Sequence, residues 1–276
     1  MKKLIHVTDL HLPLPGTLLY GLDPYARLDA CIAHINTNHA DADLVIITGD
    51  LTDNGDAAAY AALAERLPNL VPPVRLLIGN HDDRATFFAT FPNVVPASGF
   101  AQGSADLDGA RVIWLDTLRT GHVEGELCDT RLGWLDAALS ETGDAPTFVF
   151  MHHPPFAIHL PALDGIALRG GDAFHARLAQ HGNVRHIFAG HVHRPASGTW
   201  HGIGFNTMPG TSHQSAAFFA ESRFEVTLEA PAYGVVFIEN DSVVVHTINF
   251  LDQLYPHAAK IGVTEGEPLL PPDQSR

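Results

Sequence analysis

Short, continuous apolar runs recur along the chain, and each stops at a glycine or a polar cluster. They are LIHV (4–7), LVIIT (44–48), VRLLI (74–78), RVIWL (111–115), TFVFM (147–151) and HIFA (186–189). Unbroken runs of this length, rich in β-branched residues, read as strands covered on both faces. Between them the pattern takes on a helical period. Asp23 is placed to cap a helix with Pro24 at its first position, and Leu28, Ile32 and Ile35 form its apolar stripe. Asp56 precedes AAAYAALAERL, which Pro68 stops. Leu132, Leu135 and Leu139 form a further stripe, and DAFHARLAQHG ends at Gly182. Strands alternating with helices predict an α/β domain with a layered sheet core.

The pattern changes near residue 210. FEVTLEAPAYGVVFIENDSVVVHTINF (224–250) reads as strands, with a hairpin turn at Asn240-Asp241. The Pro-rich tail GEPLLPPDQSR (266–276) is expected to be loosely ordered. The expected organisation is a core over residues 1–210 and, over 211–276, a β-rich cap and tail appended to the same domain.

Composition narrows the partners. A chain of 276 residues, 46% hydrophobic and 17% charged, holds enough apolar material for a sizeable core. Its 16 Lys+Arg against 31 Asp+Glu give a formal net charge of −15. That argues against a nucleic-acid polymer as the main partner, because phosphate chains need a basic footprint. A small anion held by a local positive centre remains open. No run approaches the ~20 apolar residues of a membrane span. MKKLIHVTDLH lacks the apolar stretch of a signal peptide, since His6 and Asp9 interrupt it. Cys31 and Cys128 offer neither a disulfide framework nor a metal-thiolate spacing. A cytoplasmic protein without a membrane span is expected.

The polar clusters that close the strands gain meaning together. Ligand sites in open α/β sheets form beyond the carboxyl ends of strands. Here those ends carry Asp9-x-His11, Asp50, Asn80-His81, His152-His153 and His191-x-His193. Singly, each has an ordinary reading as a turn residue, a loop position or a hydrogen-bonded core histidine, and among 18 histidines a close pair is no surprise. In an extended segment, however, residues i and i+2 face the same side, so His191 and His193 can address one point. Five such ends together point to a metal site. Carboxylates, imidazoles and a carboxamide without thiolate suit Mn, Fe, Co or Zn. The seven candidate ligands exceed what one tetrahedral zinc needs. They fit two ions sharing a carboxylate, a centre that activates water and neutralises phosphate oxygens.

DLH (9–11), GDLTDNG (49–55), GNHDDR (79–84), HHPP (152–155) and GHVH (190–193) resemble, in order, the motifs of the calcineurin-like metallophosphoesterases. LYG (19–21), GNHDDR, MHHPP (151–155) and MPGTSHQ (208–214) are similar to the class III cyclic-nucleotide phosphodiesterases and the related glycerophosphodiesterases. The resemblance implies a four-layer αββα sandwich of two mixed β-sheets flanked by helices, with a β-rich C-terminal cap. It implies one ion held by Asp9, His11, Asp50 and His193, and a second held by Asp50, Asn80, His152 and His191, with Asp50 bridging. The ions would be two of Mn, Fe, Zn or Co. Asn80, His81 and His213 would meet the substrate, and His81 would protonate the leaving alkoxide or stabilise its charge. The implied reaction is hydrolysis of a small phosphodiester by in-line attack of a metal-bridging hydroxide. The diester would be a 3′,5′-cyclic nucleotide such as cyclic AMP, or a glycerophosphodiester. A homodimer or higher homo-oligomer is also implied.

Rival readings leave marks in the sequence. A phosphomonoesterase or protein phosphatase of the same fold is the runner-up. GDLTDNG, however, lacks the Asp-Arg pair of protein phosphatases, and GNHDD departs from their Gly-Asn-His-Glu. A nuclease is disfavoured by the charge, and a non-catalytic scaffold by the complete ligand set. His153 reads as structural, and Arg84 as either a phosphate contact or an ion pair. His6, His34, His39 and His175 read as packing or surface residues, and Cys31 as core. Phe218, Phe219 and Phe224 could line the pocket, pack across a subunit contact or pack within their own subunit.

Overall fold

The computed structural model describes residues 1–94, 97–239 and 241–251. The first half runs β1 (Lys2–Val7), α1 (Pro24–His39), β2 (Leu44–Thr48), α2 (Ala57–Arg66), β3 (Val74–Leu77), α3 (Arg84–Thr90), β4 (Gly103–Asp106) and β5 (Arg111–Leu115). Next come β6 (Gly125–Glu126), α4 (Asp129–Thr142), β7 (Thr147–Met151), α5 (Pro161–Asp164), β8 (Leu168–Arg169), α6 (Gly171–His181) and β9 (Val184–Ala189). The chain closes with β10 (Ala196–Trp200), β11 (Ile203–Thr207), β12 (Gln214–Ser215), β13 (Val226–Thr227), β14 (Ala232–Ile238) and β15 (Val243–Asn249).

Two mixed sheets carry the fold, in the orders β15-β14-β1-β2-β3 and β10-β11-β9-β7-β5-β4. Within them β1, β2 and β3 run parallel, as do β5, β7, β9 and β11. The remaining neighbours pair antiparallel. The six apolar runs are strands of these sheets, and alternate side chains explain why they are apolar throughout. Leu4, Leu44, Ile46, Phe148, Phe150 and Phe188 face inward and form the core between the sheets. Ile5, Val45 and Ile47 point the other way, against Leu28, Ile32 and Ile35 of α1 and Leu63 of α2. On the far side Val149, Met151 and Ile187 meet Leu132, Leu135 and Leu139 of α4 and Phe174 and Leu178 of α6. The layers are therefore helix, sheet, sheet, helix.

Local signals set the helix ends. Asp23 accepts from the backbone N–H of Tyr25 (3.0 Å) and Ala26 (3.1 Å) at the start of α1. Gly182, at φ 68°, closes α6 in the left-handed region that glycine enters freely. Asp56 stands at the N-cap of α2 but makes no side-chain cap bond.

β14 pairs with β1 and β15 with β14, so Ala232–Ile238 and Val243–Asn249 complete the first sheet. Their hairpin is closed by Glu239 N–H on Ser242 O at 3.0 Å. Asn240, half of the expected turn, and the tail 266–276 lie outside the described residues. Among those described, no helix is long and apolar enough to cross a membrane.

Candidate metal centre

The parallel strands of both sheets end at one edge of the sandwich, and the loops beyond β1, β2, β3, β7 and β9 converge there. The loop after β1 runs beside the one after β2, with Asp9 N–H on Gly49 O (3.1 Å) and His11 N–H on Asp50 O (2.9 Å). Across the sheets, His191 N–H donates to both Asp9 carboxylate oxygens, at 3.2 and 3.1 Å. Gly79 makes this convergence possible, because a Cβ there would overlap Asp50 Oδ1 and stand 2.6 Å from His152 Nε2. The backbone is strained at the same place. Asp9 (φ 53°), His11 (45°), Asp50 (46°), His191 (70°) and His193 (47°) all lie in the left-handed region. Asp and His tolerate it better than most residues, at about 1–3 kcal/mol each.

The side chains close on two adjoining points. Asp9, His11, Asp50 and His193 form one buried cluster whose ligand atoms lie within 4.8 Å of one another. His11 Nε2 is 3.0 Å from His193 Nε2, and His193 Nε2 is 3.4 Å from Asp9 Oδ1. Asp50 Oδ2 lies between the points, 3.4 Å from His11 Nε2 and 3.3 Å from His152 Nε2. On the second side His152 Nε2 is 3.1 Å from Asn80 Oδ1, and the His152 and His191 rings are 5.0 Å apart.

Each imidazole is oriented through its outer nitrogen. His152 Nδ1–H donates to Thr48 O (2.8 Å), His193 Nδ1–H to His213 O (2.8 Å) and His11 Nδ1–H to Asp53 Oδ1 (3.2 Å). His191 is held the other way round, with Nε2–H on Ile166 O at 3.0 Å. The Nε2 of His11, His152 and His193 faces the cluster, the arrangement that metal-binding histidines use.

Charge makes the same point. Asp9 and Asp50 are essentially unexposed, and among the described residues only imidazoles form ion pairs with them. Buried carboxylates need cationic partners. Without ions, protons take that place. Burial pulls the His152 imidazole down, but the Asp50 charge and hydrogen bond overcome it and raise it to about 9. Burial likewise opposes His11, and the Asp53 hydrogen bond with the charges of Asp50, Asp9 and Asp53 raises it. Burial would push the Asp50 carboxyl up, yet the His152 charge and hydrogen bond hold it well below the usual range. His191, buried and beside His152, falls to about 3 and stays neutral, as a ligand must. Two carboxylates, four imidazoles and a carboxamide fit a pair of borderline metal ions.

His81 stands beside the cluster on an exposed loop. Its backbone N–H donates to Asp50 Oδ1 (2.9 Å) and its Nδ1–H to Asp53 O (2.7 Å), which leaves Nε2 without a hydrogen-bond partner among the described residues. The cleft over the cluster, about 280 Å³, is lined by Tyr20, Asp50, Asn80, His81, His213 and Phe224 among others. His213 is buried in its wall, its ring 4.4 Å from that of His193. Phe219 is exposed.

His153 shares a close His152–His153–His191 group, yet both its nitrogens are engaged. Nε2–H donates to Val123 O (3.0 Å) and Nδ1 accepts from the Thr117 hydroxyl (2.8 Å), so its place is structural. Arg84 forms an ion pair, grasping buried Asp116 through Nε (2.8 Å) and Nη2 (2.9 Å). Two carboxylates escaped the sequence reading. Asp53 orients both His11 and His81. Asp82 accepts from Leu51 N–H (3.0 Å), Thr52 N–H (3.1 Å), Gly79 N–H (2.9 Å) and the Tyr60 hydroxyl (2.8 Å), tying the Asp50 loop to the Asn80 loop. Both lie inside quoted motifs, but only the tertiary contacts reveal what they hold.

Comparison with known proteins agrees. Residues 2–195 match the profile of the calcineurin-like phosphoesterases. A probable cyclic nucleotide phosphodiesterase of Rhodopseudomonas palustris is 41% identical over 254 residues, covering 90% of this chain and 93% of that protein. A glycerophosphodiester phosphodiesterase of Enterobacter lignolyticus is 32% identical over 216 residues, covering 76% of this chain and 78% of that protein. Among solved structures, a dimetal phosphatase from Danio rerio superposes with a TM-score of 0.69 at 14% identity, covering 91% of this chain and 96% of that one, which supports the fold alone. The chain belongs to the calcineurin-like phosphoesterases. It is a hydrolase of that family, whose members use a binuclear metal centre.

Proposed function

We propose that this chain hydrolyses small phosphodiesters, either 3′,5′-cyclic nucleotides or glycerophosphodiesters, at a centre of two metal ions bridged by Asp50. The carrying observation is the Asp50 carboxylate, with one oxygen between the imidazoles of His11 and His152 and the other tied to the His81 backbone. The names of the two relatives support the diester class.

In this reading Asp9, His11, Asp50 and His193 would hold one ion, and Asp50, Asn80, His152 and His191 the other, drawn from Mn, Fe, Zn or Co. When bound, such ions activate water and neutralise phosphate oxygens. The chain's residues do the rest. Asp53 O holds the His81 ring through Nδ1, and Nε2 of this cleft-lining residue would give a proton to the leaving alkoxide. His213 walls the organic arm of the substrate, and its carbonyl orients His193. The cleft's small volume and the net charge of −15 support a small diester over a nucleic-acid polymer. The same reading assigns catalysis to residues 1–210 and capping and homo-oligomer formation to 211–276, apart from His213 in the cleft wall and the strands β14 and β15 that complete the first sheet; exposed Phe219 and Leu228 supply apolar contact area. Free Cys31 and Cys128 fit a cytoplasmic location.

The test is turnover of bis(4-nitrophenyl) phosphate against 4-nitrophenyl phosphate, after chelation and again after Mn²⁺ is restored. The proposal expects activity that returns with metal and favours the diester. Preference for the monoester would move the phosphatase reading ahead, and silence with each of several metals would favour the scaffold.

A further inference from the structure

The two-stranded ribbon of β6 and β8 is tied to the ligand-bearing loops by two histidines. Its strands run parallel, with Gly125 opposite Leu168 and Glu126 opposite Arg169. Val123 and Ile166 each stand two residues ahead of that pairing, and both line the cleft over the cluster. The ribbon therefore delivers two apolar residues to one wall. The main-chain carbonyl of each accepts from an imidazole. His191 Nε2–H donates to Ile166 O (3.0 Å), and His153 Nε2–H donates to Val123 O (3.0 Å).

His191 is a candidate ligand, whereas His153 has both nitrogens engaged elsewhere. The His153 ring is fully buried. The Thr117 hydroxyl donates to its Nδ1 (2.8 Å) and accepts from the His153 backbone N–H (3.3 Å). Thr117 O in turn receives the N–H of Glu126 in β6 (3.0 Å). Gly125 lies directly against the imidazole, where a Cβ would come within 2.5 Å of Cγ. The same ring packs on His152 and His191, at 4.7 and 4.5 Å between centroids. The other bonds of loop 119–124 stay within the loop and the ribbon: His122 N–H on Arg119 O, and Glu124 with Arg119 and Arg169. Among the described residues, the His153 bond alone ties this loop to one that carries a candidate ligand.

We propose that His153 is a positioning residue of the reaction: it locks the β6–β8 ribbon to the loop that carries His152 and so sets the width of the cleft at Val123 and Ile166. The inference rests on the phosphodiesterase reading above and deepens it. With the lock released, Val123 moves off the cluster, and the cleft holds its substrate more loosely while the metal ligands keep their places. The residue acts on binding rather than on the bond-breaking step.

His153→Phe tests the lock, because it keeps a buried ring and removes both hydrogen bonds. Thr117→Val withdraws the hydroxyl from Nδ1, and Thr117→Ser is its conservative rescue. The readouts are metal content after loading with Mn²⁺, kcat and KM for bis(4-nitrophenyl) phosphate, and amide hydrogen exchange of residues 119–126 in chelated protein. For His153→Phe the expected result is metal content equal to the wild type and kcat within about threefold of it. KM and the exchange at 119–126 should both rise, by roughly three- to tenfold, the scale of one lost hydrogen bond. Thr117→Val should move KM and exchange the same way, and Thr117→Ser should restore both. If His153→Phe does not fold, the Thr117 pair decides alone. An unchanged KM, or exchange no faster than in the wild type, overturns the assignment. Loss of metal from the folded variant also overturns it, since His153 then serves the ligands and not the wall. A metal-loaded wild type that leaves the diester intact overturns the phosphodiesterase reading instead, and the exchange rates still decide the lock.

Discussion

In the proposed function Asp50 would hold both ions and His81 would work beside them. If His81 is the acid, His81→Ala keeps the metals and lowers kcat by roughly 10²–10⁴-fold. Elemental analysis and turnover of a diester with a poor leaving group check both halves, and unchanged turnover removes the acid role. The ligand side chains were legible in the sequence because each sits one to four residues beyond an apolar strand. Their division between two ions came from family resemblance, and the Asp50 oxygen between His11 and His152 now supports it. Asp53 and Asp82 were not legible. Most of their partners lie on other elements, the loops after β1 and β2 and the helix α2, and nothing in local spacing says that a carboxylate will face an imidazole 42 positions away.

Loops, rather than strands, carry the constraint at the scale of elements. Asp82 joins the loop after β2 to the loop after β3, so Asp82→Ala leaves several buried donors unpaired. At about 1–3 kcal/mol for each orphaned group, denaturant unfolding of the chelated protein should show a loss of at least ~3 kcal/mol. A loss under ~1 kcal/mol would mean that the loops hold themselves. Gly79→Ala should act through the site, because the new methyl meets the Asp50 backbone nitrogen and carboxylate and the His152 Nε2 that faces the centre. Weakened metal retention in dialysis is the expected outcome. The six main strands, α1, α2, α4 and α6 were readable from apolar period and capping residues. The helix α3 was hidden inside GNHDDRATFFAT, where the Asp83 cap reads equally well as part of a metal motif. The hairpin β10–β11 escaped because glycines 198 and 204 interrupt any alternation.

The whole molecule depends on two sheets packed face to face, and His6 lies between them. Its ring meets Phe150 and Phe188 edge-on, and Nε2 pairs with the Thr48 hydroxyl at 2.8 Å. Burial lowers it to about 3 from the ordinary 6.5. The unfolded chain therefore takes up a proton at this residue below pH 6.5 while the folded chain does not. Its stabilising contribution is full above that pH and falls by about 1.4 kcal/mol per pH unit as pH drops toward 3. In chelated protein, His6→Met should flatten the stability profile between pH 6 and 4, and a profile parallel to the wild type would refute this. The layered α/β plan was visible in the apolar runs. The strand order was not, because β14 inserts beside β1 from more than two hundred residues away.

The most direct test of the whole account is metal stoichiometry by elemental analysis of the wild type and Asp50→Ala, each loaded with Mn²⁺ and dialysed. Two ions bridged by one carboxylate predict about two per chain in the wild type and close to none in the variant. A folded variant that still holds two would contradict the bridge, and with it the centre proposed here.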